Sequence, residues 1–195
     1  MKSSPAGRIA PFMVKVAFIG SHGVGKTTLC YDLGAALKRR GLHVDMVKEV
    51  ARLSPLPINR TTSLEAQLWI LTTQIAEEIR SAAGHEVVVC DRSVLDNYAY
   101  LVFSAGRQRW LEPLVNRWMK TYDVLFKVPI AGRPDADGVR DTDEFFMRAI
   151  DRLVDDLLAE RRLAPERLPD EGRDGWADVV RERVLGLPAL AARLF

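Results

Sequence analysis

An α/β fold, a mostly parallel sheet of five strands with helices on both faces, is what this sequence predicts, on three observations. Short apolar strand-like runs alternate with helical periodicities along most of the chain. One run, Glu86 to Cys90 (EVVVC), is β-branched almost throughout, as strands buried on both faces are. Another run, Val14 to Ile19, leads straight into the glycine-rich corner GSHGVGKTT and a helix.

The elements follow in order. Val14–Ile19 reads as the first strand, and residues 26–40 as a helix closed by Gly41, in the position that favours a left-handed residue. His43 to Lys48 reads as the second strand. After a loop marked by Pro55, Pro57 and Asn59, Thr61-Thr62-Ser63 offers caps for a helix carrying Leu64, Leu68, Leu71, Ile75 and Ile79 and ending near Gly84. Beyond the third strand, residues 94–104 and 109–120 read as helices and Asp123 to Val128 as the fourth strand. Residues 129–141 are rich in Gly, Pro, Asp and Arg and read as a loop. Thr142 opens a helix to about Arg161, with Phe145, Phe146, Ala149, Leu153 and Leu157 on or near one face. A further amphipathic helix is expected around residues 176–187, and a faint fifth strand near Arg167-Leu168.

Length and composition narrow the classes. At 195 residues the chain is expected to form one domain over 13–195 behind a leader over 1–12, with Met13 an alternative start. Hydrophobic residues make 48% and charged residues 28%, an ordinary globular balance. The net charge of +2, from 28 basic and 26 acidic residues, argues against a nucleic-acid or membrane surface. The two cysteines, Cys30 and Cys90, match no metal spacing and fit a reducing compartment as small buried hydrophobes. No apolar run nears the ~20 residues of a membrane helix. A cytoplasmic location, no membrane partner and an open question of homodimerisation are the resulting expectations.

In a parallel sheet of this kind ligands sit beyond the carboxyl ends of the strands. Residues 20–28, 49–52, 91–93 and 129–141 therefore carry the interest. The first of these matches the P-loop at every fixed position, Gly20, Gly25, Lys26 and Thr27. Glycines let the backbone wrap a phosphate with N–H groups turned inward, and the helix start adds its positive dipole end. Gly20, Ser21, His22, Gly23, Val24, Gly25, Lys26, Thr27 and Thr28 are thus expected to bind a nucleoside triphosphate, ATP first. Lys26 suits the β- and γ-phosphates, the Thr27 hydroxyl Mg²⁺, and Thr28 the α-phosphate. Asp91, ending the third strand, is the expected second anchor for Mg²⁺, alongside an ordinary helix-capping role. The base-reading Asn-Lys-x-Asp of GTPases is absent from the sequence.

Asp91-Arg92-Ser93 behind VVVC resembles the acidic-Arg-Ser motif of deoxynucleoside kinases. The longer string DRSVLDNYAYL, with GSHGVGKTTL and KEVAR upstream, resembles the bacterial NadR-like AAA-domain family, which includes the ribosylnicotinamide kinase domain. The resemblance covers roughly residues 14–160. It implies a small P-loop kinase with a five-stranded parallel sheet. Glu49 would be the acceptor anchor or general base, Arg92 would sit over the phosphates, and Asp91 could share the base role. Residues 132–148 (GRPDADGVRDTDEFFMR) resemble an arginine-bearing lid, about 130–141, with Arg133, Arg140 and Arg148 as candidates and Arg140 first. Read instead as a calcium loop from Arg133, this segment has a cation where the first ligand belongs, which defeats Ca²⁺ binding. Gln67, Trp69, Gln74, Tyr98 and Tyr100 are candidates to line an acceptor pocket, with core packing the competing reading.

The expected activity is Mg²⁺-ATP-dependent phosphoryl transfer to a hydroxyl of a small nucleoside-like metabolite, with Lys26, Glu49, Asp91, Arg92 and Arg140 as catalytic candidates. A nucleotide-driven regulatory module and a polynucleotide 5′-kinase are the alternatives.

Overall fold

The computed structural model describes residues 13–58, 62–130 and 144–194. The expected leader over 1–12, and all of the expected lid except Ile130, lie outside the described residues. With the lid go Arg133, Arg140 and most of the calcium-loop segment.

Five strands form one sheet in the order β2-β3-β1-β4-β5, with every pairing parallel. They are β1 (Val14–Ile19), β2 (Val44–Val47), β3 (Val87–Asp91), β4 (Val124–Lys127) and β5 (Glu166–Arg167). The expected mostly parallel sheet is wholly parallel. Between the strands run α1 (Lys26–Lys38), α2 (Leu64–Ala82), α3 (Val94–Ala105), α4 (Glu112–Met119) and α5 (Glu144–Glu160). The chain closes with α6 (Trp176–Leu185) and α7 (Pro188–Leu194). The helix expected around 176–187 is α6, and a further helix, α7, follows it, because Pro188 has no N–H to extend α6 and suits the first position of a new helix.

The period of two along each strand divides the core. Val14, Val16 and Phe18 of β1, with Val87 and Val89 of β3 and Phe126 of β4, pack on Leu29, Leu33 and Leu37 of α1 and Trp176, Val180 and Val184 of α6. Phe18 and Phe126 stack with ring centroids 5.4 Å apart. The alternate residues, Ala17, Ile19, Val88 and Cys90, face the side covered by α2, α3, α4 and α5. Each fully buried side chain of this size contributes about 1.5–3 kcal/mol relative to exposure.

Two helix faces differ from the periodicity. On α2 the buried residues are Ala66, Gln67, Ile70, Leu71, Gln74, Glu78, Ser81 and Ala82, while Ile79 is exposed. The face is turned because a buried polar cluster claims Gln74 and Glu78. On α5 the buried set is Met147, Ile150, Val154, Leu157 and Leu158, and Phe145 is exposed. Strand β5 is only two residues long with both side chains exposed, so it carries no apolar signal of its own.

Candidate functional site

Strand order reverses around β1, with β3 on one side and β4 on the other. The loop leaving β1 sits at that point. It is built by three left-handed glycines, Gly20 (φ +136), Gly23 (φ +72) and Gly25 (φ +96). A Cβ at Gly20 would lie 2.7 Å from the Val128 carbonyl oxygen, so only glycine lets the loop pass β4 this closely. Val24 is buried in the core and pins the loop from beneath.

Lys26 opens α1 and is buried. Its Nζ donates to the Gly20 carbonyl at 3.0 Å and to the Ser21 carbonyl. Burial, helped by the positive charge of Arg92, pulls its pKa from 10.5 down to about 8. The next residue, Thr27, donates through Oγ1 to Asp91 Oδ2 at 2.6 Å. Thr28, one position on, is exposed. The expected phosphate loop and the expected metal pair are therefore adjacent.

The loop is tied to the next motif by a carboxylate that sequence reading missed. Asp96 is fully buried. Its Oδ1 accepts from Gly20 N–H at 2.8 Å, and its Oδ2 accepts from Ser93 N–H at 2.8 Å and Ser93 Oγ at 2.7 Å. The visible signal was the spacing Ser93-x-x-Asp96, a capping box at the start of α3.

Arg92 stands between Asp91 and this cap with φ +97, a left-handed backbone that a non-glycine residue adopts only at a cost. Its guanidinium is buried and donates twice to Glu49 Oε1, from Nη2 at 2.7 Å and Nε at 2.9 Å. Burial opposes its charge, but Tyr100, Glu49 and Asp96 outweigh that and hold its pKa well above the ordinary arginine value. The Arg92 guanidinium lies 4.8 Å from the Tyr100 ring centre. Glu49 also pairs with Arg52 at 3.0 Å. A half-exposed pair with Arg52 and a buried pair with Arg92 thus meet on one carboxylate. Tyr100 reaches back to the P-loop, its hydroxyl 3.1 Å from His22 Nδ1.

Of the acceptor-pocket candidates, Tyr100 joins this group and Tyr98 does not. Tyr98 is buried in the core, and its hydroxyl donates to Glu112 at 3.0 Å. Gln67 donates to Thr62 at 2.8 Å, Gln74 belongs to the buried cluster behind Arg92, and Trp69 is half-buried on α2. Three buried polar atoms around the site have no hydrogen-bond partner among the described residues, namely Ser21 Oγ, Arg92 Nη1 and Asn97 Nδ2. Arg148 sits on α5, paired with Glu144 at 2.7 Å.

A second missed residue is Arg173, in the short turn before α6. Its guanidinium lies against Gly25, where a Cβ would come within 2.7 Å of it. Nothing in the local sequence distinguishes it from its neighbours. A cavity of about 780 Å³ opens at the carboxyl ends of β4 and β5, lined among others by Pro129, Ile130, Arg152, Leu168 and Asp170.

This donor set suits phosphate and a hard cation. The loop offers inward backbone, a lysine and an unmatched hydroxyl. Thr27 and Asp91 offer oxygen ligands of the kind that hold Mg²⁺ with help from waters and substrate phosphates. Among the described residues no group of three or more His, Cys, Asp or Glu could hold a metal by itself. No helix among them is long and apolar enough to cross a membrane.

A P-loop at the reversal point of a five-stranded parallel sheet defines the P-loop NTPase fold. The sequence profile of the AAA domain matches residues 15–173, and the chain belongs to that family. A probable thymidylate kinase of Thermoplasma acidophilum is 29% identical over 136 residues, 66% of this chain and 65% of that protein. The match thus spans just under two thirds of the relative's length. The crystal structure of thymidylate kinase from Ehrlichia chaffeensis matches with a TM-score of 0.62 at 18% identity, over 90% of this chain and 98% of that one. The NadR protein in complex with NR matches with a TM-score of 0.71 at 21% identity, over 88% of this chain and 51% of that one. These two likenesses are of fold.

Proposed function

We propose that this protein is a Mg²⁺-ATP-dependent phosphotransferase acting on a hydroxyl of a small nucleoside-like metabolite. One observation carries the reading. Two polar pairs, Thr27–Asp91 and Glu49–Arg92, stand on consecutive residues of one strand end, Asp91 and Arg92, beside Lys26. The first pair suits the metal and donor phosphates, and the second suits the acceptor.

Lys26 would bind the β- and γ-phosphates, leaving the Gly20 and Ser21 carbonyls to do so. Thr27 and Asp91 would hold Mg²⁺. That ion would supply positive charge to offset the phosphates. Arg173, against Gly25, adds a cation on the nucleotide side, and the cavity beyond β4 and β5 has room for the nucleoside half. Glu49 would hold the acceptor hydroxyl and take its proton as the oxygen bonds to phosphorus. Asp91, proposed above as the metal anchor, is the less suited base. Phosphoryl transfer through a loose transition state asks little of that base, so a carboxylate paired with arginine suffices. Arg92, charge-paired with Glu49, would still donate a hydrogen bond to the moving group through Nη1, which has no partner among the described residues. Positioning and electrostatics then carry the catalysis, with no covalent nucleophile. Arg140 completes the proposal on sequence grounds as the lid arginine.

The acceptor is read as an uncharged hydroxyl compound because Glu49 already neutralises Arg92. A second reading, transfer to a nucleoside monophosphate, is favoured by Arg52 beside Glu49 and by the relative named a probable thymidylate kinase.

The test is a product screen. Nucleosides, ribosylated metabolites and nucleoside monophosphates are incubated with Mg²⁺-ATP and read by mass, with Lys26→Ala as control. A phosphorylated nucleoside absent from the control supports the main reading, and a diphosphate product supports the second. ADP release with no phosphorylated acceptor sinks both in favour of a nucleotide-driven switch.

A further inference from the structure

We propose that Glu78, a carboxylate buried on α2, is the centre of a polar cluster that positions Arg92, acting through Gln74 and Tyr122. Its catalytic consequence rests on the phosphotransferase reading above.

Glu78 is fully buried and receives four donors. Lys15 Nζ and Trp118 Nε1 donate to Oε2 at 2.9 and 2.8 Å, and Tyr122 and Gln74 donate to Oε1 at 2.6 and 2.9 Å. That fills the lone-pair sites of a carboxylate. Lys15, a buried cation in β1, completes its shell with Thr121 Oγ1 at 3.0 Å and the faces of Trp118 and Tyr122. A buried ion pair of this sort is often no more stabilising than an apolar core of the same shape, so stability alone does not explain it.

What sets the cluster apart is where it ends. Gln74 Nε2 also donates to the Arg92 carbonyl at 3.2 Å, and Val94 N–H donates to the Tyr122 hydroxyl at 3.0 Å. The two contacts bracket Arg92, which holds φ +97. A non-glycine residue keeps such a backbone only where its surroundings over-determine it. Glu78 orients both brackets at once, since Oε1 accepts from Gln74 and from Tyr122. Burial first, and then the negative charge of Glu78, push the Tyr122 phenol well above its ordinary pKa. Its proton therefore stays to donate to Glu78 while its oxygen accepts from Val94. Loss of either bracket lets the turn relax, and the guanidinium then swings away from Glu49. Glu78, Gln74 and Tyr122 touch no reacting atom in this scheme and are positioning residues.

Glu78→Gln leaves Lys15 buried without its counter-charge and risks the fold. Tyr122→Phe and Gln74→Met in the full chain are the useful variants. Hydrogen–deuterium exchange reads the positioning directly. At residues 92–97 amide exchange is expected to rise about tenfold or more in each variant, with residues 20–28 little changed. With the acceptor found by the screen, kcat is expected to fall about 10- to 100-fold at an unchanged KM for ATP. In an Arg92→Ala background the same substitutions are expected to change kcat by less than about twofold. Unchanged exchange at 92–97 would overturn the inference whatever the chain catalyses. Effects on kcat that multiply with Arg92→Ala would overturn it as well, since they mark a role in stability alone. If the wild-type chain phosphorylates nothing, the functional reading fails, and the exchange result still decides whether Glu78 holds the turn.

Discussion

The Thr27 hydroxyl donates to Asp91 Oδ2 at 2.6 Å, joining residues 64 apart in the chain. One is the first hydroxyl of the P-loop helix and the other the last residue of β3. Their separation in sequence is large, but β1 and β3 are neighbours in parallel register, with Phe18 beside Asp91. Both strands therefore deliver their ends to one place. If this pair is the metal anchor, Asp91→Asn keeps the shape and removes the charge. The expected outcome is a loss of about 10²–10³ in Mg²⁺-dependent phosphoryl transfer. Nucleotide binding measured in chelator should change little. Equal losses with and without the cation would assign Asp91 to the fold instead.

If Lys26 holds the nucleotide phosphates as proposed, nucleotide affinity depends on pH. Its pKa in the free protein is about 8, because burial and Arg92 disfavour its charge. Phosphates favour the charged form, so binding raises that value and takes up a proton. Affinity should then fall as pH rises through 8, by about tenfold between pH 7 and pH 9. The effect on stability has the opposite sense. The folded value lies below the unfolded 10.5, so the folded chain becomes more stable as pH rises from about 8 to 10.5 and carries the full burden below 8. That burden is on the order of 3 kcal/mol at neutral pH, set against about 1 kcal/mol for each of two lost hydrogen bonds. Lys26→Met is therefore expected to raise stability by roughly 1 kcal/mol while abolishing nucleotide binding. Titration calorimetry in two buffers and thermal melts check both halves.

The sequence carried the fold's order and most of the candidate site's members because those signals are local. Gly20, Gly25, Lys26 and Thr27 must sit within one turn to hold a phosphate, and Asp91-Arg92-Ser93 must follow a strand. What stayed hidden is long-range. Arg173 lies on Gly25 from nearly the other end of the chain, and no residue beside it announces a ligand. Lys15 in β1 looks like a surface residue of an alternating strand, yet β1 is central and both faces are covered. Glu78 looks like a residue of the wet side of α2, and Lys15, Trp118 and Tyr122 opposite it turn that side inward. The weak fifth strand is likewise made by its neighbour, since Leu168 N–H pairs with the Lys127 carbonyl at 3.0 Å.

Glycine substitutions separate a steric requirement from a mere preference. Gly20 has φ +136 and would set a Cβ 2.7 Å from a backbone oxygen of residue 128, which cannot rotate away. Gly20→Ala is expected to cost about 2–4 kcal/mol in denaturant unfolding and to displace the loop. Gly34, on α1, would set its Cβ in open space. Gly34→Ala is expected to stabilise by about 0.5–1 kcal/mol through helix propensity and a less flexible unfolded chain. A destabilised Gly34→Ala protein would mean that α1 packs differently from the structure described.

Glu49 and Arg92 are unequal partners, and the inequality predicts which loss is worse. Glu49 has a second arginine, Arg52, half-exposed at 3.0 Å. Arg92 is buried and has Glu49 as its ion-pair partner among the described residues. Its pKa is held well above the ordinary value, so it cannot escape by losing its proton. Glu49→Ala therefore takes from a buried cation its ion-pair partner, at an expected cost of about 3–5 kcal/mol. Arg92→Gly removes the cation, relieves φ +97, and leaves Glu49 with Arg52. Its expected cost is smaller, below about 2 kcal/mol, since left-handed strain returns about 1 kcal/mol or more. Both should lower kcat for acceptor phosphorylation by about 10²–10³ in the proposed mechanism, leaving a measurable residue, and Glu49→Gln should do so with most of the stability kept. Chemical denaturation of the three variants ranks them. Arg92→Gly proving less stable than Glu49→Ala would mean that the strained turn is held by its own guanidinium and not by the cluster behind it.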